Sequence, residues 1–408
     1  MQRDDKILSL RSRSGFSLVE LLVYMAILIV LMALVMTSFI QTQRRSAQQS
    51  GIAETQIETG VGLGLLRADL AGAGFGLPWS VSNPVPFTYT EPNALGVGGS
   101  NRVDVPAALD SANNAPTLVN GSDRLVIRAT SATQGSVGQR WGTVGRDTKH
   151  NTAVQSAVGA ALAASDWVIA VQLGNSDHPE LFRSLAMTNT GQYAFQANAG
   201  SLASVAPGGT SYDPDGEKLL LYGISRGIAD NPGDPPPLPP VRPFNRTDYY
   251  IANGASNPPV PVPTHCAPGT GVLVKAILNP WDNTFGTPQP VADCVADFQV
   301  VYHLDNGSGV ITPVNANQLP AAGADQAEKI RAQVQEVRCY ILLHEGVVDT
   351  SYTHPASLIN VGEENPANKA LLAGRAFDVE NQLPGIGATW ANYRWKVVNV
   401  TVAPQNFQ

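Results

Sequence analysis

The chain begins polar, becomes almost wholly apolar, and then settles into short alternating segments. Residues 21–40 are twenty positions of Leu, Val, Ile, Met, Ala and Phe, interrupted only by Tyr24, Thr37 and Ser38. At ~1.5 Å rise per residue a helix of this length matches a ~30 Å hydrocarbon layer. No Pro or Gly breaks the run, so its backbone amides and carbonyls can pair internally, as lipid requires. The polar stretch Gln41–Glu58 can continue the same helix. Further on, Ile57, Val61, Leu65 or Leu66, and Leu70 recur at helical spacing, a stripe suited to covering a globular body. Gly51, Gly60, Gly62 and Gly64 each cost about 1 kcal/mol relative to Ala, which predicts a bent or partly melted second half. Gly72, Gly74, Gly76 and Pro78 end the helix.

Past that point the period changes from 3.6 to 2. Strands are predicted at Arg124–Ala129, Trp167–Leu173, Lys218–Ile224, Asp248–Ile251, Val272–Leu278, Val295–Leu304, Val337–His344 and Arg394–Val402. Asp305-Asn-Gly-Ser-Gly309 reads as a hairpin turn, and residues 325–333 as a short helix. Strands at irregular spacing after one long helix predict an α+β protein with a large β-rich, loop-rich head, not a parallel sheet of βαβ units. The expected organisation is a leader at 1–15, a helix at 16–74 crossing the membrane over 21–40, and an exported head at 75–408. Pro-rich patches at 231–243 and 257–263 read as extended loops and suggest two lobes joined near 230–265, or equally a surface insertion.

The first fifteen residues hold Arg3, Lys6, Arg11 and Arg13 against Asp4 and Asp5. This basic excess favours a cytoplasmic leader and export of the remainder. A secretory signal places its small-residue cleavage site after the apolar segment, which is then discarded. Here the small-residue junction, Gly15-Phe16, comes first. A cut between them would leave the apolar helix as the new amino terminus. Glu20 would then lie one helical turn from the terminal amine, close enough to pair with its own α-ammonium or a neighbour's. Taken alone, Glu20 is equally an acid favoured by the helix dipole in a first turn.

Charge and composition narrow the classes. Charged residues make up 14% of the 408-residue chain, which holds 38 Gly and 30 Pro, so loops and turns fill much of the head. Losing the leader's four basic and two acidic side chains takes the formal charge from −7 to about −9. No stretch interleaves aromatics with Lys and Arg, so nucleic acid is not an expected partner.

Export places Cys266, Cys294 and Cys339 in an oxidising compartment, where one bridge is expected and three pairings are open. Val337, Cys339, Ile341 and Leu343 alternate with Arg338, Tyr340 and Leu342, which sets Cys339 on the apolar side of a strand as a buried thiol. Cys266–Cys294 is therefore the preferred bridge. Neither a Cys-x-x-Cys nor a c-type haem motif occurs. Six scattered histidines show no HxH or HExxH spacing, and there is no Gly-x-Ser-x-Gly elbow or Walker loop, so no enzyme and no cofactor is expected. Asp213-Pro-Asp215-Gly-Glu217 is the strongest ligand-like string. Calcium prefers such oxygen clusters, but the string falls far short of a full loop, and a plain turn explains it as well.

Gly15-Phe16-Ser17-Leu18-Val19-Glu20-Leu21-Leu22 resembles the amino terminus of the type IV pilin and pseudopilin family. That signature is Gly, then Phe, then an apolar segment with Glu as the fifth mature residue. The resemblance implies cleavage after Gly15 by a prepilin peptidase, N-methylation of Phe16, and packing of the helix into a filament core. Glu20 would neutralise a terminal amine during assembly. Leu66-Arg-Ala-Asp-Leu-Ala-Gly-Ala-Gly-Phe-Gly76 resembles the helix end of PilW-type minor pilins, and 294–302, 334–343 and 393–402 resemble strands of that group. Residues 85–215 carry no resemblance. The implied protein is a non-enzymatic minor pilin, single-pass in the bacterial inner membrane and later at the pilus or cell surface. Its partners would be the peptidase, the assembly platform, and other major and minor pilins. Rival readings are a type II secretion pseudopilin and a pilus-borne adhesin or ligand-binding module.

Overall fold

A computed structural model describes residues 17–77, 80–81, 89–96, 99–102, 105–133, 138, 140–144, 154–158, 167–172, 180–186, 219–224, 242, 244–321, 323 and 325–407. The fold is α+β. A 54-residue helix, Leu18–Ala71, is followed by a head built on an eight-stranded antiparallel sheet. Two compact units divide at 53/54.

Within the second unit the helix runs unbroken to Ala71, glycines included. Gly62 explains part of this. A Cβ there would stand 1.8 Å from the Val291 carbonyl oxygen, so the missing side chain is what lets helix and strand touch. The covering stripe includes the expected Leu66 and Leu70 but not Ile57 and Val61. Leu63, Leu66 and Leu70 are buried against the sheet, joined by Thr55 and Thr59, while Ile57 and Val61 are 69% and 74% exposed. Steps of three and four back from Leu70 pass through Leu66, Leu63, Thr59 and Thr55 and leave the bulkier Ile57 and Val61 on the outside. Before Leu63 the buried face is made by the smaller Thr55 and Thr59, while Ile57 and Val61 stay outside.

The sheet runs in the order Arg394–Val402, Val334–Glu345, Gln289–Asp305, Gly271–Leu278, Asn245–Ala252, Arg124–Ala129, Leu109–Ala112. Ile311–Asn315 also pairs with Gln289–Asp305, closing the hairpin around the Asp305–Gly309 turn. The central strands are buried on both faces, which is why they read as near-continuous apolar runs. Val337, Cys339, Ile341 and Leu343 face the helix-side core. Tyr340 and Leu342 face a second cluster with Val361, Phe377, Tyr393 and Trp395. That cluster lies under a hairpin, Leu358–Glu364 with Leu371–Asp378, which has no strong apolar alternation and is absent from the expected strands. Gly362 and Gly374 pair across it, where a Cβ on either would meet opposing backbone below 3 Å.

A second, six-stranded sheet comprises Ser80–Val81, Glu180–Ala186, Trp167–Gln172, Leu219–Ile224, Trp141–Val144 and Val154–Val158 in that order. Tyr89–Pro92 and Gly99–Arg102 form a separate pair. The predicted short helix is Gln326–Gln333.

The helix end is held by the rest of the chain. Gly74 and Gly76 take positive φ, as helix-terminating glycines do. The Gln405 amide donates to the Ala71 carbonyl (3.1 Å), Asn406 Nδ2 donates to Ala73 O (3.2 Å), and Arg331 Nη2 donates to Leu77 O (3.2 Å). The first occupies a carbonyl that the last helical turn leaves without an intrahelical donor, and the other two hold the turns that follow.

Candidate functional site

The amino-terminal segment is the first candidate. The Ser17 carbonyl accepts the Leu21 amide at 3.1 Å, opening the helix, and Glu20 stands in its first turn. An apolar span of 26 residues, Leu18–Gln43, follows, and every residue in it is exposed. A soluble helix would bury one face; this one is apolar all round, which suits lipid or a bundle of similar helices. Two of its hydroxyls are satisfied locally: Thr37 Oγ1 donates to Ala33 O (2.7 Å) and Thr42 Oγ1 to Ser38 O (2.9 Å). Such back-bonding removes two donors that lipid could not satisfy. Gly15 and Phe16 lie outside the described residues, as do Asp213, Asp215 and Glu217.

Two polar constellations were not singled out from the sequence, and a third adds histidines to the Cys266–Cys294 pair named there. In the first, Lys275 Nζ lies 2.6 Å from Asp69 Oδ2, and Tyr249 Oη donates to the same oxygen at 2.6 Å, tying helix to sheet.

The second is a buried charge network. Arg128 donates to Glu91 through Nε (3.1 Å) and Nη2 (2.6 Å), and its Nη2 stands 3.3 Å from Asp110 Oδ2. Arg246 reaches both Glu91 (3.0 Å) and Asp248 (2.7 Å), and Arg124 Nε donates to Asp248 Oδ2 at 2.8 Å. Burial alone would raise the Glu91 pKa, yet Arg128 and Arg246 outweigh it and hold the carboxyl at about 2. Burial lowers Arg242, which adds a further positive charge, to about 9. The Arg124 guanidinium also lies over Tyr250, 4.4 Å from the ring centroid. The signal was present in Arg124-Leu-Val-Ile-Arg128 and Arg246-Thr-Asp248. Charges at even spacing inside an apolar strand must pair when that strand is buried on both faces.

The third constellation surrounds a disulfide. Cys266 and Cys294 are bridged, and Cys339 is a buried free thiol. His265 stands beside the bridge, with its ring nitrogen and the two sulfurs all within 4.8 Å of one another. His344, buried against Tyr393 and Trp395, accepts the Ala267 amide on Nε2 at 2.8 Å. Burial pushes its pKa down to about 3, so it is a neutral acceptor.

Residues 10–36 match the family model described as the prokaryotic N-terminal methylation motif. No curated protein matches the chain, and no solved structure does. The motif together with the exposed apolar helix supports a type IV pilin-like or pseudopilin protein. A prepilin-type amino terminus implies processing by a prepilin peptidase and delivery to a pilus-type assembly machinery.

Proposed function

We propose that this chain is a minor type IV pilin of the PilW-like type, a structural subunit for pilus initiation and assembly. The observation that carries the reading is the matched motif at 10–36 leading straight into an exposed apolar span, Leu18–Gln43. The peptidase hydrolyses the Gly15–Phe16 bond, releasing the basic leader. Methylation of the Phe16 amine follows, and the helix resides in the inner membrane with the head exported. Extraction from lipid would expose side chains worth roughly 1.5–3 kcal/mol each, so the helix leaves only into a bundle of other major and minor pilin helices. Glu20 pairs there with a terminal amine and sets the axial register.

The protein is the substrate of this chemistry and not a catalyst. A bulky head suits a filament tip or initiation complex, where it need not recur at every subunit.

Mass spectrometry of the mature amino terminus tests the reading. N-methylated Phe16 is expected; an intact Met1 or a cut after Ile40 overturns it. Deletion of the gene is expected to abolish piliation, whereas lost protein secretion with intact pili would reassign the chain to a type II secretion pseudopilin. Cryo-electron microscopy finding the subunit along the whole shaft would sink the tip placement.

A further inference from the structure

We propose that the Cys266–Cys294 bridge is one state of a redox-gated site, whose reduced state holds a thiophilic divalent cation, zinc by preference, on Cys266 Sγ, Cys294 Sγ and the His265 imidazole. Two thiolates and an imidazole are the donors that tetrahedral zinc favours, and its ligand atoms stand roughly 3.3–3.8 Å apart. The three donor atoms here already lie within 4.8 Å, so modest side-chain rotation assembles the set. The fourth position is open to water or to the Asp293 carboxyl, which is adjacent to Cys294 in the chain and interacts electrostatically with His265.

Backbone on both sides of the bridge is fixed by bonds other than the bridge itself. The Cys266 amide donates to Pro263 O (3.0 Å), the Ala267 amide to His344 Nε2 (2.8 Å), and Thr270 Oγ1 to Ala267 O (2.6 Å). Cys294 is buried in the strand Gln289–Asp305, at a bulge against Gly271–Leu278. Its φ of +56° is left-handed, a conformation that non-glycine residues rarely adopt. Breaking the S–S bond therefore leaves two sulfurs and an imidazole facing one another on a retained scaffold. Cys266 is half-buried and Cys294 fully buried, so an incoming thiolate attacks the Cys266 sulfur.

The chemistry balances. A dithiol reductant delivers two electrons and two protons and becomes a disulfide, while Cys266 and Cys294 become thiols. Zinc then displaces both thiol protons, and binding tightens as pH rises. This assignment is independent of the pilin reading, because it concerns the head alone.

The test uses full-length protein in detergent, reduced with a phosphine that does not compete for metal, and titrated with Co²⁺ and then Zn²⁺. One equivalent of cobalt with a thiolate charge-transfer band, displaced by one of zinc, is expected for reduced protein and not for oxidised protein. His265→Ala, which retains both thiols, should lose the stoichiometric complex, and Cys339→Ser should keep it. Absence of binding by the reduced protein, equal binding by the oxidised protein, or unchanged binding by His265→Ala overturns the proposal. Far-ultraviolet circular dichroism of the reduced chain must remain that of the oxidised one; a collapse on reduction would also overturn it, because the site depends on a retained scaffold.

Discussion

Lys275, on a central strand of the large sheet, sets its ammonium 2.6 Å from the carboxylate of Asp69, in the last turn of the helix. Both side chains are largely withdrawn from water, at 3% and 11% exposure, and Tyr249 donates a second contact to the same oxygen. Removing one partner leaves the other charge buried, which costs about 3–5 kcal/mol, far more than an exposed pair would lose. Lys275→Met and Asp69→Asn should each lower the thermal midpoint of the head by several degrees. A double variant should lose less than the two single losses added. Strict additivity in that cycle would show that the pair is not coupled.

The helix glycines should separate into two kinds. Gly60 and Gly64 have open space where a Cβ would stand, so Gly60→Ala and Gly64→Ala should each stabilise the detergent-solubilised monomer by up to about 1 kcal/mol. Gly62→Ala carries the same helical gain but drives a methyl group into the Val291 carbonyl at 1.8 Å. Backbone must move to admit it, so destabilisation is expected, measured as a lower denaturant midpoint. A stabilised Gly62→Ala would mean that the helix does not approach the sheet this closely.

What the sequence made legible follows its periodicity. The apolar span was readable because twenty uninterrupted positions permit little else, and the central strands because burial on both faces demands apolar runs. Cys339 sits on the face its alternation dictates. Pairing between distant strands left no local trace: nothing near Arg124 announces that its strand neighbours Asn245–Ala252. The first half of the buried helix face is not legible, because fit there outweighs hydrophobicity. Ile57 and Val61 are the stronger hydrophobes, yet Thr55, Thr59 and Gly62 allow the closer fit. His265 carries no such signal, since its neighbour Cys294 is 29 positions away and no spacing rule links them.

Glu91 should govern the acid limb of the stability profile. Its carboxyl is held at about 2 in the folded head, against an ordinary value of 4.5. The unfolded chain therefore binds this proton more readily. The contribution is full above pH 4.5 and is lost as pH falls toward 2, about 3 kcal/mol in all. Glu91→Gln should flatten that window, while costing stability at neutral pH by leaving Arg128 and Arg246 without their shared counter-charge. Unchanged acid unfolding in the variant would exclude Glu91 as its source.

Asp123 should act with the opposite sign. Burial pushes its pKa up to about 7, overriding the Asn114 and Val300 amides that favour the charged form. Here the folded state holds the proton more tightly than the unfolded chain. Stability is greatest below about pH 4 and declines by up to about 4 kcal/mol as pH rises to 7. The wild type should therefore weaken relative to Asp123→Asn across that window, whatever their difference at either end. A constant difference between the two profiles would show that Asp123 does not titrate there.

Glu20 separates assembly from anchoring. It stands in the first turn of a helix that is apolar throughout its span, and a first-turn acid gains about 0.3–1 kcal/mol from the helix dipole. Were that its whole role, Glu20→Gln would insert, be processed and assemble like the wild type, since so small a loss does not decide the fate of a 26-residue apolar span. On the proposed role the charge neutralises a terminal amine that must be buried among apolar helices, and an unpaired ammonium there is prohibitive. Glu20→Gln should then reach the membrane and lose its leader normally, yet be missing from sheared pili. Immunoblots of membrane and sheared fractions distinguish the two, because the first role predicts equal signal in both and the second predicts signal in the membrane alone.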